Sequence, residues 1–320
     1  TAKIDTGSRV LNVGSAEVAE GQGAPGTVLS ATTEGLVVAC GSGAVRLNRL
    51  TCQITGGPVS PASVTEAILP LLSADGAARL TSALQEVTPR EGWLRTSLKH
   101  LSDLRLPGTV VASEPRMAEV ALPDQDVALL ALAALRALGL NHADLARGAP
   151  GLPGYIAGWE PLSVMASGSC AGARVALRHA LAAPVTGWPL DLMTRDTALA
   201  ELTVPELALS DNGLVEGAVV TLAPGVMHYD AARLPEAAAG ALAARIHHLA
   251  AQIKANPGVD LSTLSVLTQA ERDEVLIRWN ATARDHDRAL MVHTAFEAQA
   301  AKTPDAPALC FEAQTLTYAQ

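Results

Sequence analysis

Concentrated positive charge is missing from this chain. Lys and Arg number 23 against 32 Asp and Glu, the net charge is −9, and the cations are scattered. A nucleic-acid surface needs clustered Lys and Arg to displace phosphate counterions, so the charge pattern argues against such a partner. Aromatic residues are also scarce, at 3% of 320 residues against 49% apolar. The core must therefore be assembled from Ala, Leu and Val, each burying little area, and needs many helices and strands. Charged residues are only 17%, which does not fit disorder over most of the length. The four cysteines (Cys40, Cys52, Cys170, Cys310) lie far apart with no Cys-x-x-Cys spacing. Neither a zinc site nor a disulfide framework is indicated, and a reducing, cytoplasmic compartment fits. Long hydrophobic runs are absent too. The most apolar stretch, Val127 to Leu138, falls short of the ~20 residues a membrane span needs and reads as a buried helix. The opening Thr1-Ala2-Lys3-Ile4-Asp5 has no basic segment followed by an apolar run, so no signal peptide is expected. The first residue is not Met and the sequence stops inside an apolar segment, so both ends read as cuts within a longer chain.

What is present divides along the chain. The first 55 residues are rich in Gly and β-branched residues. Val10 to Val13 and Thr27 to Ser30 read as short strands. Leu36 to Cys40 and Ala44 to Leu47 flank Gly41-Ser42-Gly43, a hairpin signal, and Val45 and Leu47 alternate with Arg46 as a half-buried strand should. A small β-barrel or sandwich is expected, followed by a linker at Gly56-Gly57-Pro58-Val59-Ser60-Pro61. Residues 63–105 read as helical, with Leu94, Leu98 and Leu101 at helical spacing and a stop at Pro107-Gly108. Val164 to Leu181 mixes strand and helix signals. Gly217 to Leu222 reads as a strand. Pro235 to Lys254 is an amphipathic helix with Leu242, Ile246, Leu249 and Ile253 on one face, ended by Asn256-Pro257-Gly258. Thr268-Gln269-Ala270-Glu271 is a capping box, predicting a short helix to Trp279. A further helix over Val292 to Lys302 and strands at Ala308 to Phe311 and Thr315 to Tyr318 close the sequence. Strands alternating with helices argue for an α/β or α+β middle region.

Motifs that could carry chemistry are thin. Gly41-Ser42-Gly43 lacks the third Gly and following helix of a nucleotide loop and reads as a turn. Ser167-Gly168-Ser169-Cys170-Ala171-Gly172 misses the Gly-x-Ser-x-Gly pattern because position 171 is Ala, and reads as a loop or tight turn. Asp191, Arg195 and Asp196 read as a structural salt bridge, since paired-carboxylate catalysis has no supporting spacing. His247 and His248 lie within the amphipathic helix, ~100° apart, as edge or solvated side chains.

Three stretches resemble known families, in an informative order. Ala24-Pro25-Gly26-Thr27-Val28-Leu29 and Gly35 to Leu47 resemble the C-terminal β-barrel of methionyl-tRNA formyltransferases. Residues from about 90 to 265 resemble the C-terminal half of a condensation domain of nonribosomal peptide synthetases. The carriers are Glu91-Gly92-Trp93-Leu94, Leu101 to Pro107, Gly154-Tyr155-Ile156-Ala157-Gly158-Trp159-Glu160-Pro161-Leu162, Trp188-Pro189-Leu190-Asp191-Leu192-Met193, and Tyr229-Asp230 with the helix after it. The condensation motif His-His-x-x-x-Asp-Gly is not met at His247-His248, where neither Asp nor Gly follows. Leu264 to Arg272 with Arg278-Trp279-Asn280-Ala281-Thr282 resembles the linker joining condensation to adenylation domains. Val292 to Gln299, Thr303 to Leu309 and Leu316-Thr317-Tyr318 resemble the start of an adenylation domain, with Ala313 replacing the Gly usual in its hairpin.

The resemblance implies an α+β multidomain fold: a small β-barrel, then an α/β sandwich lobe resembling half of a CoA-dependent acyltransferase, then the first helix and hairpin of an adenylation domain. The expected boundaries are 1–57 for the barrel, 58–265 for a truncated condensation-like domain with its lobe from about 90, 266–288 for the linker and 289–320 for the adenylation start. It implies a segment of an initiation module that positions a formylation domain against an AMP-binding, amino-acid-activating domain, in the making of a secondary metabolite such as a siderophore. No catalytic, cofactor-binding or metal-binding residue is assigned within the segment. The parent enzyme is expected to use ATP and Mg, phosphopantetheine and, where formylation is active, formyl-tetrahydrofolate. The partners implied are the flanking domains in cis, with neither nucleic acid nor membrane. Trp279 is expected to be buried against its neighbours. Two rival readings are an active acyltransferase lobe working through His142, His228 or His247, and a module that binds a carrier protein or accessory protein.

Overall fold

The computed structural model describes residues 2–7, 9–53, 57–70, 73–112, 114–211, 213–285 and 291–320. The chain divides into two compact units, Thr1–Thr268 and Gln269–Gln320.

The first unit opens with an antiparallel sheet of β1 (Ala2–Asp5), β2 (Val10–Ala19), β3 (Val28–Thr32), β4 (Gly35–Ala39) and β5 (Ala44–Cys52), in the order β1-β2-β5-β4-β3. The expected hairpin lies between β4 and β5, whose last pair is Ala39 with Ala44. Its turn is closed by the Cys40 N–H donating to the Gly43 carbonyl at 2.9 Å, and Gly43 has φ +75°. The described pairings make an open row rather than a closed barrel. Leu11, Val13, Leu36, Leu47 and Leu50 form its core.

That core does not stop at residue 57. Val59, Val64 and Leu69 pack into it, the Val59 N–H donates to the Leu50 carbonyl at 2.8 Å, and the Leu69 N–H donates to the Gly26 carbonyl at 2.8 Å. The expected linker (Gly56 lies outside the described residues) is thus the entry to a segment that belongs to the sheet. Its apolar residues are spaced too widely for a helix face, and the helical reading gives way over 64–70 to chain outside any helix. Helices begin at α1 (Ala74–Val87), capped by the Ser73 hydroxyl, and α2 (Glu91–Lys99) follows, burying Leu94 and Leu98.

The middle of the unit is a six-stranded mixed sheet. It contains β6 (Met117–Ala121), then α3 (Val127–Ala137), β7 (His142–Gly148), β8 (Trp159–Met165), α4 (Cys170–Ala182), the short α5 (Leu192–Arg195), β9 (Leu207–Leu209), β10 (Val220–Ala223), β11 (Val226–Asp230) and α6 (Glu236–Ala255). The strand order is β6-β11-β10-β9-β7-β8. β9 runs parallel to both β7 and β10, and the other pairs are antiparallel. Side chains alternate between faces along each strand. Leu145, Leu207 and Leu209 meet α3, α4 and α6 on one face, while Ala146, Trp159 and Ala208 meet α2 and the 188–218 segment on the other. α3 is buried all round because it lies between the sheet and two further helices, as its uniform apolarity predicts. On α6, Ile246, Leu249 and Ile253 face the core. The ambiguous stretch from Val164 resolves at Ser169, whose side chain accepts from the Gly172 N–H and starts α4.

The second unit holds α7 (Gln269–Asp273), a π-helical turn over Glu274–Arg278, α8 (Val292–Lys302) and the hairpin β12 (Pro307–Phe311) with β13 (Gln314–Thr317). Residues 286–290, where the expected linker meets the expected adenylation start, lie outside the described residues. Phe296 and Tyr318 meet with ring centroids 5.3 Å apart. The left-handed residue of the hairpin is Glu312, at φ +51°, so Ala313 carries no strain of its own. Trp279, expected to be buried against its flanking neighbours, is 67% exposed within this chain, and Leu276 and Ile277 beside it are exposed as well. A five-residue helix running into a π-turn does not provide the packed face that a continuous helix would.

Candidate functional site

The distinctive feature of the first unit is the seam where the two sheets meet. In β2 the residues Leu11 and Val13 point into the first sheet's core, so Val10 and Asn12 point out of its other face. Both are nevertheless buried, at 7% and 5% exposure. Val10 abuts Gly154 in the loop between β7 and β8. A Cβ built on Gly154 would fall 2.2 Å from the Val10 Cβ, so only glycine fits, and its φ of +75° makes the same demand. Lys3, opposite Asn12 in the sheet, donates from Nζ to the Gly154 carbonyl at 3.0 Å and sits 4.8 Å from the centre of the Tyr155 ring. Burial pulls the Lys3 ammonium below its usual range, partly offset by the Asp191 carboxylate.

Behind this seam lies a cavity of about 210 Å³. The 150–159 loop forms one wall, held by Leu152 N–H to the Ile156 carbonyl at 2.9 Å and Ala149 N–H to the Gly158 carbonyl at 2.8 Å. Trp188, Met193, Leu202 and Val204 form the other. The two walls are tied by the Ala157 N–H donating to the Trp188 carbonyl and the Leu190 N–H donating to the Tyr155 carbonyl, at 2.8 and 2.9 Å. Trp188 and Trp159 stack edge to face, 5.6 Å apart.

The charged residues weighed from the sequence are placed around α2. Arg195 donates to Glu91 at 2.9 and 3.0 Å and to Asp191 at 3.0 Å. These bonds push the Arg195 guanidinium above its usual range, and the Arg195 hydrogen bond holds the Glu91 carboxyl below its own. Asp196 pairs with Lys99 at 2.7 Å. The group pins α5 to α2. Farther along, buried Glu206 accepts from the Leu106 N–H at 2.7 Å and from Arg233 at 3.0 Å.

The histidines do not converge. His142 Nε2 lies 2.7 Å from the Ser163 hydroxyl and 3.8 Å from Asp144 Oδ1. Both contacts fall on the same ring nitrogen, so this is not a serine–histidine–aspartate relay, which needs one partner on each nitrogen. His228 faces Glu119 at 3.6 Å on an outer strand pair. His247 is exposed on α6, and His248 is half-buried. Cys170 is buried beneath the α4 N-terminus, and burial pushes its thiol up, away from the reactive thiolate. Among the described residues no cluster of three His, Cys, Asp or Glu side chains could hold a metal ion, and no helix is long and apolar enough to cross a membrane.

No protein-family model matches the chain. A stretch of 92 residues, 29% of the chain, is 39% identical to a linear gramicidin synthase of Brevibacillus parabrevis, of which it covers 2%. Part of this chain is therefore similar to peptide synthetases. A stretch of 47 residues, 15% of the chain, is 62% identical to methionyl-tRNA formyltransferase of Pseudomonas syringae pv. tomato, of which it covers 14%. The chain thus spans a small fraction of the curated relatives it matches. Among solved structures, the X-domain from teicoplanin biosynthesis aligns over 72% of this chain and 74% of its own, at 15% identity and a TM-score of 0.44. A score at that level assigns no fold.

The seam and the cavity were not legible as a site in the sequence. Gly154 and Trp188 stood out only within stretches that resemble a condensation domain. The signal that could have pointed to them is the run Pro150-Gly151-Leu152-Pro153-Gly154, whose paired turn residues mark a loop folded tightly against something.

Proposed function

We propose that this chain is an interior segment of a nonribosomal peptide synthetase initiation module, which positions a formylation domain against an amino-acid-activating adenylation domain and performs no catalysis itself. The observation that carries the reading is the seam. Val10, Lys3 and Gly154 join the first sheet to the lobe by direct contact, so a domain continuing from the first sheet would hold a fixed bearing on the lobe. The similarity of one stretch to formyltransferases and of another to peptide synthetases supports the same reading. In it the first sheet with its 57–70 segment ends the formylation part, the lobe is a truncated condensation-like domain, and 269–320 leads into the adenylation domain. The parent would act in the cytoplasm and use ATP with Mg, phosphopantetheine and formyl-tetrahydrofolate, bound by its other domains.

The test uses the full synthetase with Gly154→Val. Amino-acid-dependent ATP–pyrophosphate exchange should stay within about twofold of wild type, while formylated aminoacyl product falls at least about tenfold. Equal product from both enzymes would overturn the positioning role. The acyltransferase reading is addressed by His142→Ala, His228→Ala and His247→Ala. Unchanged product formation in all three is expected, and loss of product in one of them would favour catalysis by the lobe.

A further inference from the structure

The seam joins two parts whose cores are separate. The first sheet closes its own core with Leu11, Leu36, Leu47, Leu50, Val64 and Leu69, and the lobe's clusters draw only on residues from 83 onward. Val10, the apolar side chain of the sheet that meets Gly154, belongs to none of them. Its neighbours on the same face are polar. Asn12 is two residues along the strand, and Lys3 pairs with it. Gln53 follows Cys52, which pairs with Leu11, so it lies opposite Val10, and its N–H donates to the Val10 carbonyl at 3.2 Å. Asn12 and Gln53 are 5% and 2% exposed, and their side-chain oxygens meet no donor of the protein. Closing the seam takes these groups out of bulk water and gives them no protein partner in return. The lobe's side of the seam is held independently of the sheet. Leu152 N–H bonds the Ile156 carbonyl, Ala157 N–H the Trp188 carbonyl and Leu190 N–H the Tyr155 carbonyl, so the 150–159 loop is anchored within the lobe.

A polar interface within one chain lets its two parts move, whereas a large apolar one fixes them. We propose that the seam is a joint: the first sheet, with its 57–70 segment, undocks from the 150–159 loop as a folded unit while both cores stay intact. The closed form predominates, held by Val10 against Gly154 and by the Lys3 Nζ bond to the Gly154 carbonyl at 3.0 Å. The open form returns Lys3, Asn12 and Gln53 to water. Opening breaks neither core, so it costs less free energy than unfolding the sheet or the lobe. The closed form sets the bearing of the sheet on the lobe, and the joint sets how often that bearing is released. The inference concerns this chain alone and does not depend on the positioning role proposed above.

The experiment places a thiol in the seam of the intact chain by Val10→Cys and follows its alkylation by iodoacetamide with peptide mass spectrometry. Cys170, 1% exposed in the lobe core, is the internal reference for unfolding. Backbone hydrogen exchange of the peptide spanning 36–50 reports whether the first sheet stays folded. The introduced thiol should react at least about tenfold faster than Cys170. Its rate should change little with urea below the unfolding transition, while that of Cys170 climbs steeply, because the urea slope scales with the surface exposed. The 36–50 amides should stay protected throughout. Asn12→Leu with Gln53→Met, added to Val10→Cys, keeps the shape of the face and removes both amides, so it should slow the reaction of the introduced thiol about tenfold. If Val10→Cys does not fold, Asn12→Cys serves as the probe and Gln53→Met alone as the closing substitution. The proposal is overturned if the seam thiol and Cys170 react at one rate with one urea dependence, since the seam then parts only on unfolding. It is equally overturned if the 36–50 amides exchange as fast as the thiol reacts, or if removing the amides does not slow that reaction.

Discussion

The seam makes a quantitative prediction for Gly154→Ala. The new Cβ would lie 2.2 Å from both Cβ and Cγ2 of Val10 and 2.8 Å from its Cγ1, and the backbone there has φ +75°. The left-handed conformation costs a non-glycine residue about 1–2 kcal/mol, and forcing a methyl into a filled interior adds about 1–3 kcal/mol. The expected loss is therefore about 2–5 kcal/mol, a large part of the 5–15 kcal/mol typical of a folded domain. Urea unfolding followed by tryptophan fluorescence reads it, because Trp159 and Trp188 lie beside the seam. Val10→Gly isolates the steric part. Alone it costs about 2–4 kcal/mol, from lost burial and a flexible residue in a strand. Combined with Gly154→Ala it removes every atom the new methyl strikes, so the double variant should be at least about 1 kcal/mol more stable than the sum of the single losses implies. The backbone strain remains in both. Strict additivity would show that Val10 and Gly154 do not meet, and the account of the seam would fail with it.

Other perturbations have equally definite outcomes. Glu206→Ala strips the Leu106 N–H and Arg233 of a buried acceptor and should cost about 2–4 kcal/mol in urea melts, whereas Glu206→Gln should cost less. Burial alone would raise the Asp126 carboxyl, but hydrogen bonds from Arg178 and Arg174 outweigh it and hold the group below its usual range. Its contribution is thus present above the unfolded value near 4 and lost as pH falls through the lower folded value; Tm against pH should fall below about pH 4, and less steeply in Asp126→Asn. Cys310 is exposed and Cys170 is 1% exposed with a raised pKa, so a thiol reagent should label Cys310 at once and Cys170 only at the rate of unfolding. Ser169→Ala should cost about 1 kcal/mol through loss of the α4 cap, measured by urea unfolding, with no change in any enzymatic readout of the parent.

Local structure was legible where one periodicity dominated. The β4–β5 hairpin followed from Gly41-Ser42-Gly43 between β-branched runs, and α6 followed from Leu242, Ile246, Leu249 and Ile253. α3 announced its burial by having no polar face. Val164 to Leu181 stayed unreadable because an apolar strand and an apolar helix adjoin there, and the break between them rests on one serine cap. The segment after residue 57 was misread for a related reason. Pro and Gly mark a change of direction, and only the partners of Val59, Val64 and Leu69 show that the chain turns back onto the first sheet.

By itself the sequence determined composition-level facts: an Ala/Leu/Val core, an acidic surface, strands before helices, and short-range signals spaced within one turn or one hairpin. The tertiary structure alone decided that Val10 meets a glycine 144 positions later, that Trp188 lies against the 150–159 loop with its N–H unpaired, and that His142, His228 and His247 stay apart. The reason is physical. Periodicity records which face of an element is buried, because that depends on neighbours a few residues away. What covers the face depends on contacts between distant segments, and no local pattern encodes them.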